Sequence, residues 1–401
     1  MTRVLPSLVR RVPRSLRRPS WPGLAWLVLL VIALVVGLVY AANSNAVDTD
    51  SRTATDQPPD SRAPLDEELS PQWSADSDVD DQRTVAGNTV IVSTSDGVRG
   101  LDPLTGQERW RYLRPSATMC DLTVLDDVVV AIFKTTGRCN EAVALEADSG
   151  LRRWYRNVGF SDQLRMFGSG TAALAATPGG IAILDAVGNS IRWRYNPPRG
   201  CELSSVGIGT SGVVVVERCT TGTTWLAAFA LTSGKQQWRV APPPGEVSVL
   251  GADGVVSLLA GQELMILSAR DGSMLSTLRA GPADPAELGQ TAGTLFAGPT
   301  GARGLSLIYL APTLYAIDPA TGAQLWSVAA AGLPARSDVG IVVPEVDGFV
   351  TRNPLTGQEL GRSVITAGSG AADGPTDTLV RVERAGSALV ATTRDGLVGY
   401  A

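Results

Sequence analysis

The hydrophobic positions of this 401-residue chain follow two patterns. From Leu24 to Ala42 nineteen residues pass without a charge. A helix of that length spans roughly 28 Å, close to the thickness of a bilayer core. From about residue 69 the pattern changes to short apolar and β-branched runs broken by Gly, Pro, Asp and Asn. Such runs predict strands joined by tight turns. Between the two, residues 43–68 hold almost no large apolar side chain and carry seven carboxylates against two Arg. That stretch cannot bury enough surface to offset ordering entropy, so it reads as a disordered acidic linker.

The strand-rich part repeats a phrase. It reads GLDPLTGQERW at 100–110, ALEADSGLRRW at 144–154, ILDAVGNSIRW at 183–193 and AFALTSGKQQW at 228–238. It continues as ILSARDGSMLS at 266–276, AIDPATGAQLW at 316–326 and TRNPLTGQELG at 351–361. The last positions are Trp110, Trp154, Trp193, Trp238, Ser276, Trp326 and Gly361, at intervals of 44, 39, 45, 38, 50 and 35 residues. A period near 40 with strand-like content predicts a propeller.

Each phrase has a physical reading. An apolar pair ends one strand, and Asp102 or Asp318 then opens a turn by accepting backbone N–H groups ahead of it. Gly106 or Gly322 supplies the left-handed conformation that closes the turn. The following strand carries the Trp, a flat residue suited to packing between adjacent blades. Two further strand-like runs precede each phrase, so each copy supplies four strands, one blade. After Gly361 the runs 379–384, 388–393 and 397–401 leave a blade one strand short. The run 69–75, which carries Trp73, supplies the missing strand. The expected architecture is an all-β, eight-bladed propeller over 69–401, closed by the strand near Trp73, with seven blades as the alternative count.

Composition then removes chemistry. Histidine is absent, which excludes Ser-His-Asp and Cys-His catalysis and any imidazole pH switch. Net charge is −5, yet residues 1–42 carry six Arg and no acid, so the remainder sums to −11. A body that acidic repels phosphate backbones, and nucleic acid is not an expected partner. The Arg cluster before the apolar segment and the acids after it place residues 1–22 in the cytoplasm, 23–42 as a transmembrane helix and the rest outside. Trp21, Trp26 and Tyr40 lie near the ends of the segment, where aromatic rings favour the interface. A cleaved signal peptide is the alternative, since Val39-Tyr40-Ala41 is a tolerable small-x-small site, but the apolar run exceeds a usual signal core.

The phrase A-x-D-x-x-T-G-x-x-x-W resembles the PQQ-like, quinoprotein-type repeat, shared by quinoprotein alcohol dehydrogenases and by outer-membrane assembly lipoproteins of the BamB type. The resemblance covers about 69–401. It implies the propeller fold and leaves function open, because enzymes and scaffolds both use it. A dehydrogenase of that kind is implied to carry a disulfide between adjacent cysteines, a calcium ion held by Glu, Asn and Asp, and an Asp base. This chain has no adjacent cysteines. A BamB-type role does not follow either: those proteins are lipoproteins, whereas here no Cys precedes Cys120, and the composition, with Lys134 and Lys235 as its only Lys, is more typical of actinobacteria.

The four cysteines fall in pairs at equivalent places of the second and fourth copies, separated by 19 and 18 residues. This predicts disulfides Cys120–Cys139 and Cys201–Cys219 in an oxidising compartment. A zinc site is the poorer reading without C-x-x-C spacing or His. Asp121, Asp126, Asp127 and the run Asp76, Asp78, Asp80, Asp81 lack EF-hand spacing and read as solvated loops. Glu217 with Arg218, and Arg381 through Arg384, read as weak cross-strand ion pairs. A carboxylate pair for glycoside hydrolysis stays open, because spatial neighbours are invisible in sequence. The expectation is a non-catalytic scaffold without cofactor or metal that binds cell-envelope proteins; a ligand-binding or sensor propeller and a PQQ-dependent dehydrogenase are the alternatives.

Overall fold

The computed structural model describes residues 21–42, 49–56, 65–77, 83–135, 137–279, 292–297, 304–366, 379–394 and 396–401. It divides into an N-terminal unit and a compact unit from Asp50 to Ala401. In the first, the chain is helical from Trp21 to Ala42. Side chains are described there over 25–35 and are exposed. Among the described residues no helix is long and apolar enough to cross a membrane. The expected transmembrane segment is thus a helix from Trp21 to Ala42. The expected cytoplasmic tail lies outside the described residues except for its last two.

The second unit is a ring of eight sheets. Blade 1 runs over 85–113, blade 2 over 118–160, blade 3 over 165–195 and blade 4 over 201–240. Blade 5 covers 247–279, blade 6 292–329, blade 7 335–365 and blade 8 379–400. Each has four antiparallel strands in chain order from the axis outward, except that blade 8 takes its outermost strand, Pro71–Ala75, from the other end of the chain. Eight blades, rather than seven, follow from that pairing.

The segment expected to be disordered, residues 43–68, contains one strand and the first residue of a second. Asp50–Arg52 adds antiparallel to the outer strand Glu108–Leu113 of blade 1. Glu68–Leu69 adds parallel to the outer strand Glu359–Ile365 of blade 7. Asp50–Arg52 is polar and exposed, and a reading based on burial passes over it because backbone pairing supplies most of its attachment.

The blades are locked by the repeated phrase. The indole of Trp110 is fully buried and donates from Nε1 to the Ala147 carbonyl of blade 2 at 2.8 Å. Trp73 does the same to Pro103 at 2.9 Å, Trp154 to Ala186 at 2.7 Å and Trp193 to Leu231 at 2.9 Å. Trp238 bonds Ala269 and Trp326 bonds Pro354, both at 2.9 Å. Every acceptor directly follows the turn-opening position of the next phrase. That turn is built as its sequence requires. Asp102 accepts the N–H groups of Leu104 and Thr105, Gly106 has φ +68, and its N–H returns to the Asp102 carbonyl. Asp318 accepts from Ala320, and Gly322, φ +71, donates to the Asp318 carbonyl.

Two interfaces depart from the pattern. Between blades 5 and 6 Ser276 stands where the Trp would be, and its hydroxyl donates to the Gly322 carbonyl at 2.6 Å. Between blades 7 and 8 the position is Gly361, and open space surrounds it. Here the N-terminal segment takes over. Leu69, 1% exposed, enters the apolar cluster formed by Phe349 of blade 7 and Leu389 and Tyr400 of blade 8. Val364 N–H donates to the Glu67 carbonyl and Thr366 N–H to the Leu69 carbonyl. A backbone bridge between Leu333, just before the inner strand of blade 7, and Arg381, in the inner strand of blade 8, ties the same two blades.

Both disulfides have formed, Cys120–Cys139 and Cys201–Cys219. The pairing is as expected, but the positions are not equivalent: Cys139 opens the third strand of blade 2, whereas Cys219 ends the second strand of blade 4, directly opposite Cys201.

Candidate functional site

The inner strands of all eight blades surround a central cavity of about 1030 Å³. Among the described residues, five Arg line it (Arg83, Arg165, Arg336, Arg381 and Arg384) against three carboxylates, Asp126, Asp253 and Glu383. This balance runs opposite to the net charge of −11 over residues 43–401.

The carboxylates around the cavity have structural partners. Asp253 on blade 5 accepts the Thr210 N–H of blade 4 at 2.9 Å and the Thr294 hydroxyl of blade 6 at 3.0 Å. Asp121, expected in a solvated loop, accepts the Met166 N–H of blade 3 at 2.8 Å and lies 3.8 Å from Arg165. Asp126 is paired with Arg83 at 2.8 Å. Glu383 accepts the N–H groups of Thr84 and Val85 and the Thr84 hydroxyl, and Arg83 lies 3.3 Å away. Ser205 plays the same part for the Val249 N–H. Side chains at the inner end of one blade thus cap backbone donors of a neighbouring blade, donors the ladder leaves unpaired. Arg336 is the exception in character. Burial pulls its guanidinium below its ordinary value, and Asp253 and Asp126 offset this only in part.

Two buried ionic groups escaped the sequence reading. Glu217 does not pair with Arg218. Its side chain is fully buried, accepts from the Tyr195 hydroxyl of blade 3 and bonds Arg239 at 2.7 Å. Burial first, and the bond to Glu217 second, raise the Tyr195 phenol far above its ordinary value. Arg239 in turn lies 4.5 Å over the Trp225 ring. Arg218 instead reaches Glu246 at 3.7 Å on the surface. Arg114, following blade 1, meets Glu141 of blade 2 at 2.9 Å, both nearly inaccessible. The cross-strand reading of Glu217 fails because its partners sit two strands and one blade away, separations on which spacing is silent.

Among the described residues no three His, Cys, Asp or Glu side chains group so as to hold a metal ion. Asp78, Asp80 and Asp81 lie outside them. The residues also do not fit a pyrroloquinoline quinone site of the kind the resemblance implies. Neither disulfide joins adjacent cysteines or borders the cavity, and its carboxylates are engaged by Arg83 and by backbone and hydroxyl donors of neighbouring blades.

The outer edge of blade 1 has a different construction. Asp50 sits 2.9 Å from Arg111, which also contacts Glu108 at 2.9 Å. Arg109 donates to the Asp56 carbonyl at 2.6 Å, and Ala54 N–H to the Ser149 carbonyl of blade 2 at 2.9 Å. Ala54 packs against the cluster holding Trp110 and Tyr112.

Four-stranded blades locked by an Asp-to-Gly turn and a Trp define a β-propeller of the PQQ-like class. The chain belongs to the family described as outer membrane protein assembly factor BamB, matched over residues 65–278 and 222–398. The computationally designed Ika8 protein shares the fold, with a TM-score of 0.56 at 16% identity over 84% of this chain and 99% of its own. BamB from Moraxella catarrhalis superposes with a TM-score of 0.48 at 18% identity, over 83% and 99%. Among curated proteins none matches.

Proposed function

We propose that this chain is a non-catalytic binding scaffold of the cell envelope, anchored in the cytoplasmic membrane by its N-terminal helix, that captures extended segments of partner proteins on its blade edges. The observation carrying this reading is that two outer edges already hold extended peptide, Asp50–Arg52 on blade 1 and Glu68–Leu69 on blade 7. Strand addition of that kind is a common mode of protein recognition. Membership of the BamB-described family supports a protein-binding role. The Arg-rich start, the uncharged helix and the two disulfides support an anchor with the ring on the oxidising side.

Photocrosslinking of the full chain in native membranes, with identification of the captured proteins, tests the reading. Envelope proteins crosslinked to blade edges are the expected result; a ring that captures none from intact membranes sinks it. Adding PQQ and Ca²⁺ to the purified chain should leave its absorbance and melting temperature unchanged.

A second reading is a sensor that holds a small anion in the channel, favoured by the cavity volume and its excess of Arg. A melting temperature raised by a dicarboxylate or phosphate and abolished by Arg336→Gln would support it.

A further inference from the structure

The segment 49–56 is held like a ligand rather than like a structural brace. The comparison with the other docked strand makes the distinction. At the interface of blades 7 and 8 no Trp lock exists, and Leu69 fills the gap in the core. At the interface of blades 1 and 2 the Trp110 lock is complete and fully buried, and the Arg114–Glu141 pair lies beside it. Nothing there needs a strap. The residues Asp50–Arg52 are all exposed, and Ala54 is the one apolar contact of the segment with the core. Yet two blades supply a strand edge, two guanidinium groups, a carbonyl acceptor on Ser149 and a small apolar notch, all directed at this stretch.

We propose that the outer edge of blade 1 is a docking groove for an acidic, extended segment of a partner protein, and that residues 49–56 occupy it as a resident strand the partner displaces. The proposal rests on the protein-binding reading above and assigns it a place, a ligand chemistry and a control. The edge offers backbone pairing, which any extended chain satisfies, so affinity alone is unselective. Arg111, which faces Arg52 in the register and reaches Asp50 diagonally, selects an acidic residue at the start of the segment, and Arg109, donating to the Asp56 carbonyl, selects an extended backbone at its end. A small residue at the position of Ala54 fits the notch. Because the resident strand is tethered, it competes at a high effective concentration and keeps weak peptides out.

The test uses the full chain in nanodiscs with its disulfides intact. The probe is a fluorescent peptide of sequence Thr-Asp-Ser-Arg-Thr-Ala-Thr-Asp, residues 49–56. Successive N–H groups of a strand face opposite sides, so Ser51→Pro with Arg52→Pro removes the one facing blade 1 and releases the resident strand. This variant should bind the probe at least about tenfold tighter than the unmodified chain, whose own strand blocks the groove. A probe carrying Asp50→Lys should lose binding and regain it when the protein also carries Arg111→Glu. Should the double proline disturb the fold, Asp50→Lys in the protein leaves the blade intact and must open the groove in the same way. Equal binding to opened and unmodified protein, or indifference to the charge exchange, overturns the proposal. Partners crosslinked to other blades would in that case still uphold the protein-binding reading.

Discussion

A β-carbon built on Gly106 would lie 2.6 Å from Cγ of Trp73, so the turn glycine of blade 1 is shaped by the tryptophan of blade 8. The same relation links Gly150 to Trp110, Gly234 to Trp193, Gly272 to Trp238 and Gly357 to Trp326. Gly106→Ala should therefore cost more than its backbone conformation alone. At Gly222, φ +81 with nothing within 4 Å, alanine loses only the left-handed preference, about 1–2 kcal/mol. At Gly106 the indole must also move and give up its bond to Pro103, for a total of about 3 kcal/mol or more. Urea unfolding of both variants measures the difference, and equal losses would contradict the interlock.

Leu69→Ala should open the interface that lacks a tryptophan. Removing a buried leucine side chain costs about 2–5 kcal/mol, and here the cavity falls between the two blades where the ring is joined. Hydrogen exchange should rise first in 379–385 and 359–365, with blades 3 and 4 unaffected. Uniform acceleration around the ring would argue against a local role.

Reduction should weaken blades 2 and 4 selectively. Loops closed by 19 and 18 residues stabilise by about 3 kcal/mol each through restriction of the unfolded chain. Non-reducing peptide mapping should return Cys120–Cys139 and Cys201–Cys219, and Cys120→Ala with Cys139→Ala should lower the melting temperature without loss of the fold.

The alkaline limb of stability should be governed by buried phenols. Burial pushes Tyr309 from 10.0 to about 12, and Tyr400 and Tyr195 are also raised. A group that holds its proton more tightly when folded contributes stability that is intact below about pH 10 and lost as pH climbs through its folded value. Stability should thus be flat from neutrality to about pH 10 and fall toward pH 12. Tyr309→Phe should make that fall shallower. A decline beginning near pH 8 would point to another group.

The sequence made the ring legible because the same physical need recurs in every blade. Asp102 and Asp318 cap the same turn, and the Trp positions mark the same outer strand. Trp73 revealed the closing strand because it was an unclaimed member of that series. What stayed hidden has no periodic signal. Glu217 finds Tyr195 and Arg239 through the packing of two blades, and Asp121 finds Met166 across an interface. Asp50–Arg52 is attached by backbone pairing, Arg111 and Arg109, and a hydropathy pattern registers none of these.

The pairing of Pro71–Ala75 with Gly396–Tyr400 also dictates an order of assembly. The strand that completes blade 8 is among the first of the ring to be synthesised, and its neighbour is the last. Local hairpins can form as the chain emerges, but this contact spans nearly the whole sequence and bears the largest loop-closure entropy. Blade 8 must therefore mature last, with the strand of Trp73 waiting for its partner until residues 396–400 have been made. A chain truncated before residue 396 would present an open, sticky pair of edges rather than a slightly smaller ring. That makes closure a built-in proofreading step, distinguishing finished molecules from unfinished ones.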